Sequence, residues 1–453
     1  MQARGGVLDA SHFIDTHKIG RLQILVAVFG ALVLFVDGFD TQVIGYITPQ
    51  IAREWHIPRN LLGPIFSSGL TGLLVGYLLV APLSARVGHK LIMIGSCLAF
   101  GALTFLTSSA SNVWVLMIFR FVTGIGLGGA IPSAVALTGE YCPQSWRSSF
   151  ITFIYAGISL GQLSAGLVSS ALLARFGWPS VLWVGGTLPI LLAVAIWLAA
   201  PESLEYLINK RGDHVAALNI LRRIDPALSV SGELRLIANE HGARESSIRD
   251  LFQSGRAFGT AAIWLSIGMN LMVNFFIQQW MTQIFIDAGL KQETAIITTS
   301  ISMAGGIAAA FAVGPLMDRL GPYRIMPMLF VGAALFVSLI GVVVALPLPF
   351  LLATNFCQGF CTSGIQKAGN ALCVYFYPTA LRSTGLGWTL GVGRIGAIAG
   401  PLAAGILLGF GWSAAELFYA CGIASLIGAL AMFLMGRVYS RGLPLYLASR
   451  ARR

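Results

Sequence analysis

Two aspartates three residues apart, Asp37 and Asp40, lie in the run FVDGFD within the first long apolar stretch of the chain. An ionised carboxylate in hydrocarbon costs roughly 2.5–3.5 kcal/mol or more, so each needs an opposite charge, water or a proton. Their spacing puts both on neighbouring parts of one helical face, where repulsion and desolvation together favour protonation of one of them. Gly38 between them lets a neighbouring backbone or a ligand come close. Such a pair is suited to taking up and releasing a proton. Three cations also stand in apolar stretches: Arg120, Lys367 and Arg394. At about 1.5 Å of rise per residue, Asp40, nine residues before Pro49, and Arg120, eight after Asn112, share a depth of about 12–14 Å. Arg120 is therefore expected to face Asp37 or Asp40 and to change partners as protons and an anion come and go, the alternative being a permanent pair that only joins two helices. Lys367, eleven residues before Pro378, and Arg394, twelve beyond Arg382, come out about 16–18 Å from the opposite surface, close to a midplane.

The elements that must hold these groups are long apolar helices. Of the 453 residues, 56% are hydrophobic and only 10% charged, against about 25% charged in soluble chains. Apolar runs long enough to cross about 30 Å of hydrocarbon recur throughout. They are expected near 22–47, 61–83, 90–108, 113–138, 150–174 and 181–200, and again near 257–286, 294–317, 326–346, 350–377, 384–410 and 414–437. The fold class is thus an all-α membrane protein of twelve transmembrane helices. Residues 1–20 read as a polar tail ahead of a retained first span, 21–200 as one six-helix bundle, 201–256 as an aqueous central loop rich in Arg, 257–437 as a second bundle and 438–453 as a second tail.

The net charge of +11 is dispersed over short inter-helix segments, which speaks for topology and against nucleic acid as a partner. With both termini cytoplasmic, only Arg53, Arg59, Arg175 and Lys291 of the 29 Lys and Arg residues fall outside, and Arg120, Lys367 and Arg394 fall within spans, as the positive-inside rule requires. The six cysteines (Cys97, Cys142, Cys357, Cys361, Cys373, Cys421) form no CxxC or Cys/His set with metal spacing, so no metal or cofactor is expected and the thiols read as packing. No nucleophile, base and acid come together in the pattern of an enzyme. The run GIGLGG at Gly124–Gly129 follows no strand and lies inside an apolar span, so it marks close helix packing rather than a nucleotide loop.

The two halves repeat each other. PLSARVG at Pro82–Gly88 returns as PLMDRLG at Pro315–Gly321, and Pro143, Arg147 and Ser148 return as Pro378, Arg382 and Ser383, an offset of about 234 residues in both cases. A carrier that rocks two similar halves about a central site has this organisation.

These landmarks resemble the major facilitator superfamily, with its G-x-x-x-D-R-x-G-R/K loop after the second span and its echo after the eighth. The second copy here is good (Gly314, Asp318, Arg319, Gly321). The first keeps Pro82, Arg86, Gly88 and Lys90 but has Ala85 where the family has Asp. In the family these loops join a cytoplasmic charge network that holds one end closed. The resemblance implies gating roles for Arg86, for Glu140 with Arg147, and for Asp318 with Arg319 and Arg382, with the first latch weakened by Ala85. Within the superfamily, DGFD at Asp37–Asp40, RFVTGIGLGG from Arg120, the QQW run at Gln278–Trp280 and YPTALRSTGLGWTLGVGRIG from Tyr377 resemble the aromatic acid:proton symporters. That likeness implies proton-coupled uptake of benzoate-type acids by alternating access at a cell (inner) membrane, by a carrier acting as a monomer. Asp37, Asp40 and Arg120 are then the coupling groups and Lys367 a carboxylate contact. Arg394 belongs to a GR helix-packing motif and is a second contact candidate. Phe39, Trp280, Tyr375 and Trp388 could stack on an aromatic ring, and Asn274, Gln278, Gln279, Gln366 and Asn370 could bond a ring hydroxyl or one another. An efflux antiporter or a carrier of another organic anion is the runner-up.

Overall fold

The computed structural model describes residues 7–225, 235–237, 247–378 and 381–439. Arg244 of the central loop and the second tail from residue 440 lie outside them.

In chain order, a strand β1 (Val7–Asp9) leads into α1 (Ala10–Thr16), α2 (Arg21–Glu54), α3 (Arg59–Leu79), a short α4 (Ser84–Val87), α5 (His89–Thr107), α6 (Val113–Leu127), α7 (Ala130–Tyr141), α8 (Arg147–Phe176), α9 (Trp178–Ala199) and α10 (His214–Ile224). A strand β2 (Arg235–Ile237) is followed by α11 (Ala257–Asp287), α12 (Gln292–Leu320), α13 (Pro322–Val343), α14 (Leu348–Phe376), α15 (Arg382–Gly409) and α16 (Ala414–Tyr439). Helices α6 and α7 make one span broken at Gly128–Gly129. Among the described residues, eleven segments are long and apolar enough to cross a membrane. The twelfth, α14, has the length but carries Thr354, Asn355, Gln358, Thr362, Gln366, Lys367 and Asn370 along it. Hydrocarbon admits only backbone that satisfies its own hydrogen bonds, which is why apolar sequence here becomes helix throughout.

The internal repeat reappears in the backbone. Gly88 and Gly321 have φ of 102° and 82° just ahead of α5 and α13, and Gly177 and Gly411 have φ of 73° and 87° ahead of α9 and α16. A residue with a Cβ is strained in this left-handed region, so glycine ends one helix and admits the next at equivalent points of both halves.

The chain gathers into two compact units, one of Met1–Val43 with Ser68–Gly242 and the other of Ile44–Ser67 with Ala243–Arg453. The ends of the first two spans that follow Val43 and precede Ser68 thus pack with the second half of the sequence.

In the first unit, glycines let helix backbones touch. A Cβ on Gly38, Gly157 or Gly161 would strike the facing backbone across α2 and α8, and one on Gly72 or Gly124 would do so between α3 and α6. The GIGLGG run is therefore a packing surface, as its place in an apolar span requires. The amino-terminal residues do more than form a polar tail. Strand β1 pairs in parallel with β2, and Ala10, Phe13 and Ile14 are buried against Leu204, Leu207 and Leu221. His17 Nε2 lies 3.3 Å from Asp225, and Asp15 accepts a hydrogen bond from the Gln144 amide at 2.8 Å. Their polar composition conceals an amphipathic turn whose apolar residues find a partner only in three dimensions.

In the second unit, α11 packs on α15 at Gly396 and Gly400, and α12 on α14 at Gly305 and Gly359. The end of α2 joins through Tyr46, whose hydroxyl lies 3.0 Å from that of Ser300. The start of α3 joins through Gly63, closely set against the Pro401 carbonyl, and through the Arg59–Asp287 ion pair at 3.1 Å.

Candidate functional site

The first unit brings Asp40 and Arg120 together. Nη1 of Arg120 donates to Oδ1 of Asp40 at 2.9 Å and Nη2 to Oδ2 at 3.0 Å, and both side chains are almost wholly buried. This is the two-pronged geometry a guanidinium makes with a carboxylate, and a lysine cannot reproduce it. Thr104 on α5 completes the arrangement by donating to Oδ1 at 3.2 Å. Gly69 on α3 lies alongside the arginine, where a Cβ would stand at ordinary contact distance, 3.6 Å from Nη2. Asp37, one turn earlier on α2, is also buried. Phe39 is buried beside Gly185, from which a Cβ would stand 3.3 Å off its ring. Buried together, the two charges depend on each other, and loss of either one strands its partner in a medium of low polarity.

The second unit carries the remaining cations and most of the polar candidates. Nζ of Lys367 donates to the Gly306 carbonyl on α12 at 3.1 Å, and among the described residues it forms no ion pair. A half-buried ammonium held only by a carbonyl keeps capacity for an anion. Arg394 is half-buried on α15. On α11, Asn274, Gln278 and Gln279 are buried, and Gln278 Nε2 lies 3.4 Å from Asn274 Oδ1. Gln366 and Asn370 are half-buried on α14. Trp280 is packed away: it is 1% exposed, its indole N–H donates to the Pro401 carbonyl at 3.0 Å, and its ring meets Phe66 edge-on at 5.2 Å. Its ring is thus engaged with protein in this state. Tyr375 and Trp388 lie on exposed surface, against Tyr323 and Trp264.

The residues expected to gate are arranged differently from the pairs named above. Glu140 lies 3.6 Å from His89 Nε2 and accepts from Ser203 Oγ at 2.9 Å; Arg147 lines the same cavity of about 260 Å³ but makes no ion pair with it among the described residues. Asp318 and Arg319 are exposed and unpaired among the described residues, because adjacent positions on a helix do not face each other. Arg382 instead has Nε 3.4 Å from the Tyr377 carbonyl, and Arg86 is exposed. Sequence reasoning missed Glu202. Its carboxylate accepts from the backbone amides of Lys90 at 3.0 Å and Ser203 at 2.8 Å, so it caps α5 just after the loop in which Ala85 replaces the family's Asp. An anion at a helix start meets unpaired N–H groups and the positive end of the dipole. The one available signal was an acid directly after Pro201 at the close of the sixth span. Thr104 was missed as well, since a threonine in an apolar run carries no signal of its own.

Apolar spans in two similar sets, with a buried carboxylate–guanidinium pair in one unit and a half-buried lysine in the other, are the organisation of a membrane transporter. The chain belongs to the Major Facilitator Superfamily, whose family model matches residues 30–337 and 261–445. It is 34% identical over 436 residues to the 4-hydroxybenzoate transporter PcaK of Acinetobacter baylyi, covering 95% of each chain. It is 33% identical to a gallate transporter of Pseudomonas putida, covering 96% of this chain and 97% of that one, and 28% identical to the benzoate transport protein of Acinetobacter baylyi, covering 94% and 92%. Its fold matches that of a D-xylose-proton symporter with a TM-score of 0.70 at 18% identity, over 91% of this chain and 96% of that one.

Proposed function

We propose that this protein is a proton-coupled symporter that imports small aromatic carboxylates of the benzoate and hydroxybenzoate type across the cell (inner) membrane by alternating access, with both termini in the cytoplasm. The observation that carries the reading is the buried, two-pronged Asp40–Arg120 pair. Removing the charge from one partner strands the other in a medium of low polarity, so the pair couples protonation of Asp40 to a demand for a new anion at Arg120. Asp37, on the same face one turn away, offers a second protonation site. Lys367, bonded to a carbonyl, is the cation from the second half that meets a substrate carboxylate, with Arg394 as its companion. Relatives named as transporters of 4-hydroxybenzoate, gallate and benzoate, alike over nearly the whole chain, support an aromatic acid as the substrate.

The test is uptake of radiolabelled benzoates into proteoliposomes of the purified protein under an imposed pH gradient. Accumulation driven by an inward proton gradient and abolished by collapsing it is expected. Accumulation indifferent to the gradient overturns symport, and transport of no aromatic acid overturns the substrate class.

A further inference from the structure

Several buried threonines of the spans turn their hydroxyls back on their own helix. Thr48, Thr107, Thr123 and Thr138 each donate to the carbonyl four residues earlier, at 2.6–2.7 Å, a bond open to any helical threonine. Thr104 on α5 instead donates to Oδ1 of Asp40 on α2 at 3.2 Å. The two side chains are 1% and 3% exposed, so the bond lies where water does not compete for it.

Packing holds the threonine in this orientation. A Cβ on Gly185 of α9 would stand 3.6 Å from the Thr104 methyl carbon, in ordinary contact, and 3.3 Å from the ring of Phe39. Three residues earlier on α5, Gly101 meets Gly186 of α9 so closely that a Cβ on either would come within 2.8 or 2.7 Å of the other's carbonyl oxygen. Helices α5 and α9 are thus set backbone to backbone beside Thr104, its methyl toward α9 and its hydroxyl toward α2. The charged groups that bear on Asp40 are Arg120 from α6 and Asp37 one turn earlier on α2. Helix α5 carries charged or basic residues only at its start, His89 and Lys90, with the Cys97 thiol two turns before Thr104; α7 and α8 carry theirs only in end turns, Glu140, Arg147 and Arg175; α3 has Arg59 at its first residue and α9 has none.

We infer that Thr104 is a positioning residue for the carboxylate that couples transport to protons: its hydroxyl seats Asp40 against Arg120, favours the charged form, and thereby sets the pH range over which the carrier loads and releases its proton. The inference rests on the proton-coupled reading above and adds the residue that tunes it. A hydrogen bond to an ionised carboxylate is roughly twice as strong as one between neutral groups, and bonding to the charged form favours that form. A hydroxyl also accepts, so it keeps a partner for Asp40 when the proton arrives.

The test is the initial rate of radiolabelled benzoate uptake by the intact protein in proteoliposomes, with the outer pH varied and the inner pH fixed. Uptake falls as the outer pH rises past the point where the coupling carboxylate no longer holds a proton. Without the hydroxyl that proton is held to higher pH, so Thr104→Val is expected to move the midpoint of the fall up by about one pH unit. Thr104→Ser keeps the hydroxyl and is expected to keep the original midpoint. Thr104→Ala lacks it and is expected to shift as the valine variant does, so it decides the matter if that variant is not recovered. A role in packing alone lowers the unfolding temperature or the membrane level without moving the midpoint. An unmoved midpoint in the variants lacking the hydroxyl, or an equal shift in Thr104→Ser, overturns the role of Thr104 and leaves proton coupling standing. Unaltered protein that takes up no benzoate, or takes it up at a rate indifferent to pH, overturns the reading beneath it, and this role with it.

Discussion

Asp40 carries most of the chemistry ascribed to the first unit. Its two oxygens accept two bonds from Arg120 and one from Thr104, so the charged carboxylate is fully served and its neutral form gives up much of that bonding. Asp40→Asn imitates the neutral form permanently. It is expected to insert in the membrane at near the normal level and to exchange labelled benzoate, but to lose gradient-driven accumulation by about tenfold or more, a loss of about 1.4 kcal/mol of coupling. Arg120→Lys keeps the charge but loses the fork, and the same loss of accumulation is expected. If either variant simply fails to insert, the pair is a strut, since breaking a buried ion pair costs about 3–5 kcal/mol of stability. Outside the spans, burial pushes the Cys142 thiol up to about 11 despite the nearby Arg147. It is therefore a neutral thiol at pH 7, and alkylation by a maleimide at that pH is expected to be slow in the folded protein and fast after denaturation, as followed by mass spectrometry.

Helix α2 has two tasks that its sequence spells out only in part. Its apolar length makes it a span, and the absence of side chains at chosen points sets how near its neighbours come. Gly38 sits between the two aspartates and against the backbone of Ile158 on α8, where a Cβ has no room. Gly38→Val therefore forces α2 and α8 apart, at about 1–3 kcal/mol, and moves Asp40 relative to Arg120. A lower unfolding temperature in detergent, together with reduced uptake at normal membrane levels, is the expected pair of results. Loss of uptake with an unchanged unfolding temperature would assign Gly38 to ligand approach instead. Helix α14 shows the opposite bias: its many polar residues keep it below the apolarity of the other spans, and one of them, Lys367, is the cation proposed to meet the substrate carboxylate.

Across the whole chain, the cytoplasmic side expected for the amino terminus carries a folded cap rather than a free tail. Phe13 and Ile14 are buried, and fully burying such side chains contributes about 1.5–3 kcal/mol apiece. Removing residues 1–18 should thus lower the unfolding temperature of the purified protein measurably while leaving the Asp40–Arg120 site intact, so uptake per folded molecule at low temperature should persist. Persistence of the original unfolding temperature would show that the cap rests on the first unit without stabilising it.

Residue order alone determined roughly where the apolar spans fall and that two halves repeat, and it set an expectation for the depth of the charges. Each of these follows from a one-dimensional rule, namely the thickness of hydrocarbon, the rise of a helix and the cost of burying charge. Even the pairing of Arg120 with an aspartate of α2 was legible from depth, because groups at one level have few partners to choose from. Tertiary structure alone decided that the partner is Asp40, that Thr104 joins it, that Glu140 turns to His89 and Ser203, that Glu202 caps the helix after the altered loop, and that Trp280 is spent on packing. Contacts of this kind depend on the azimuth and register of helices far apart in sequence, set by how glycines let their backbones meet, and no local pattern of residues encodes them.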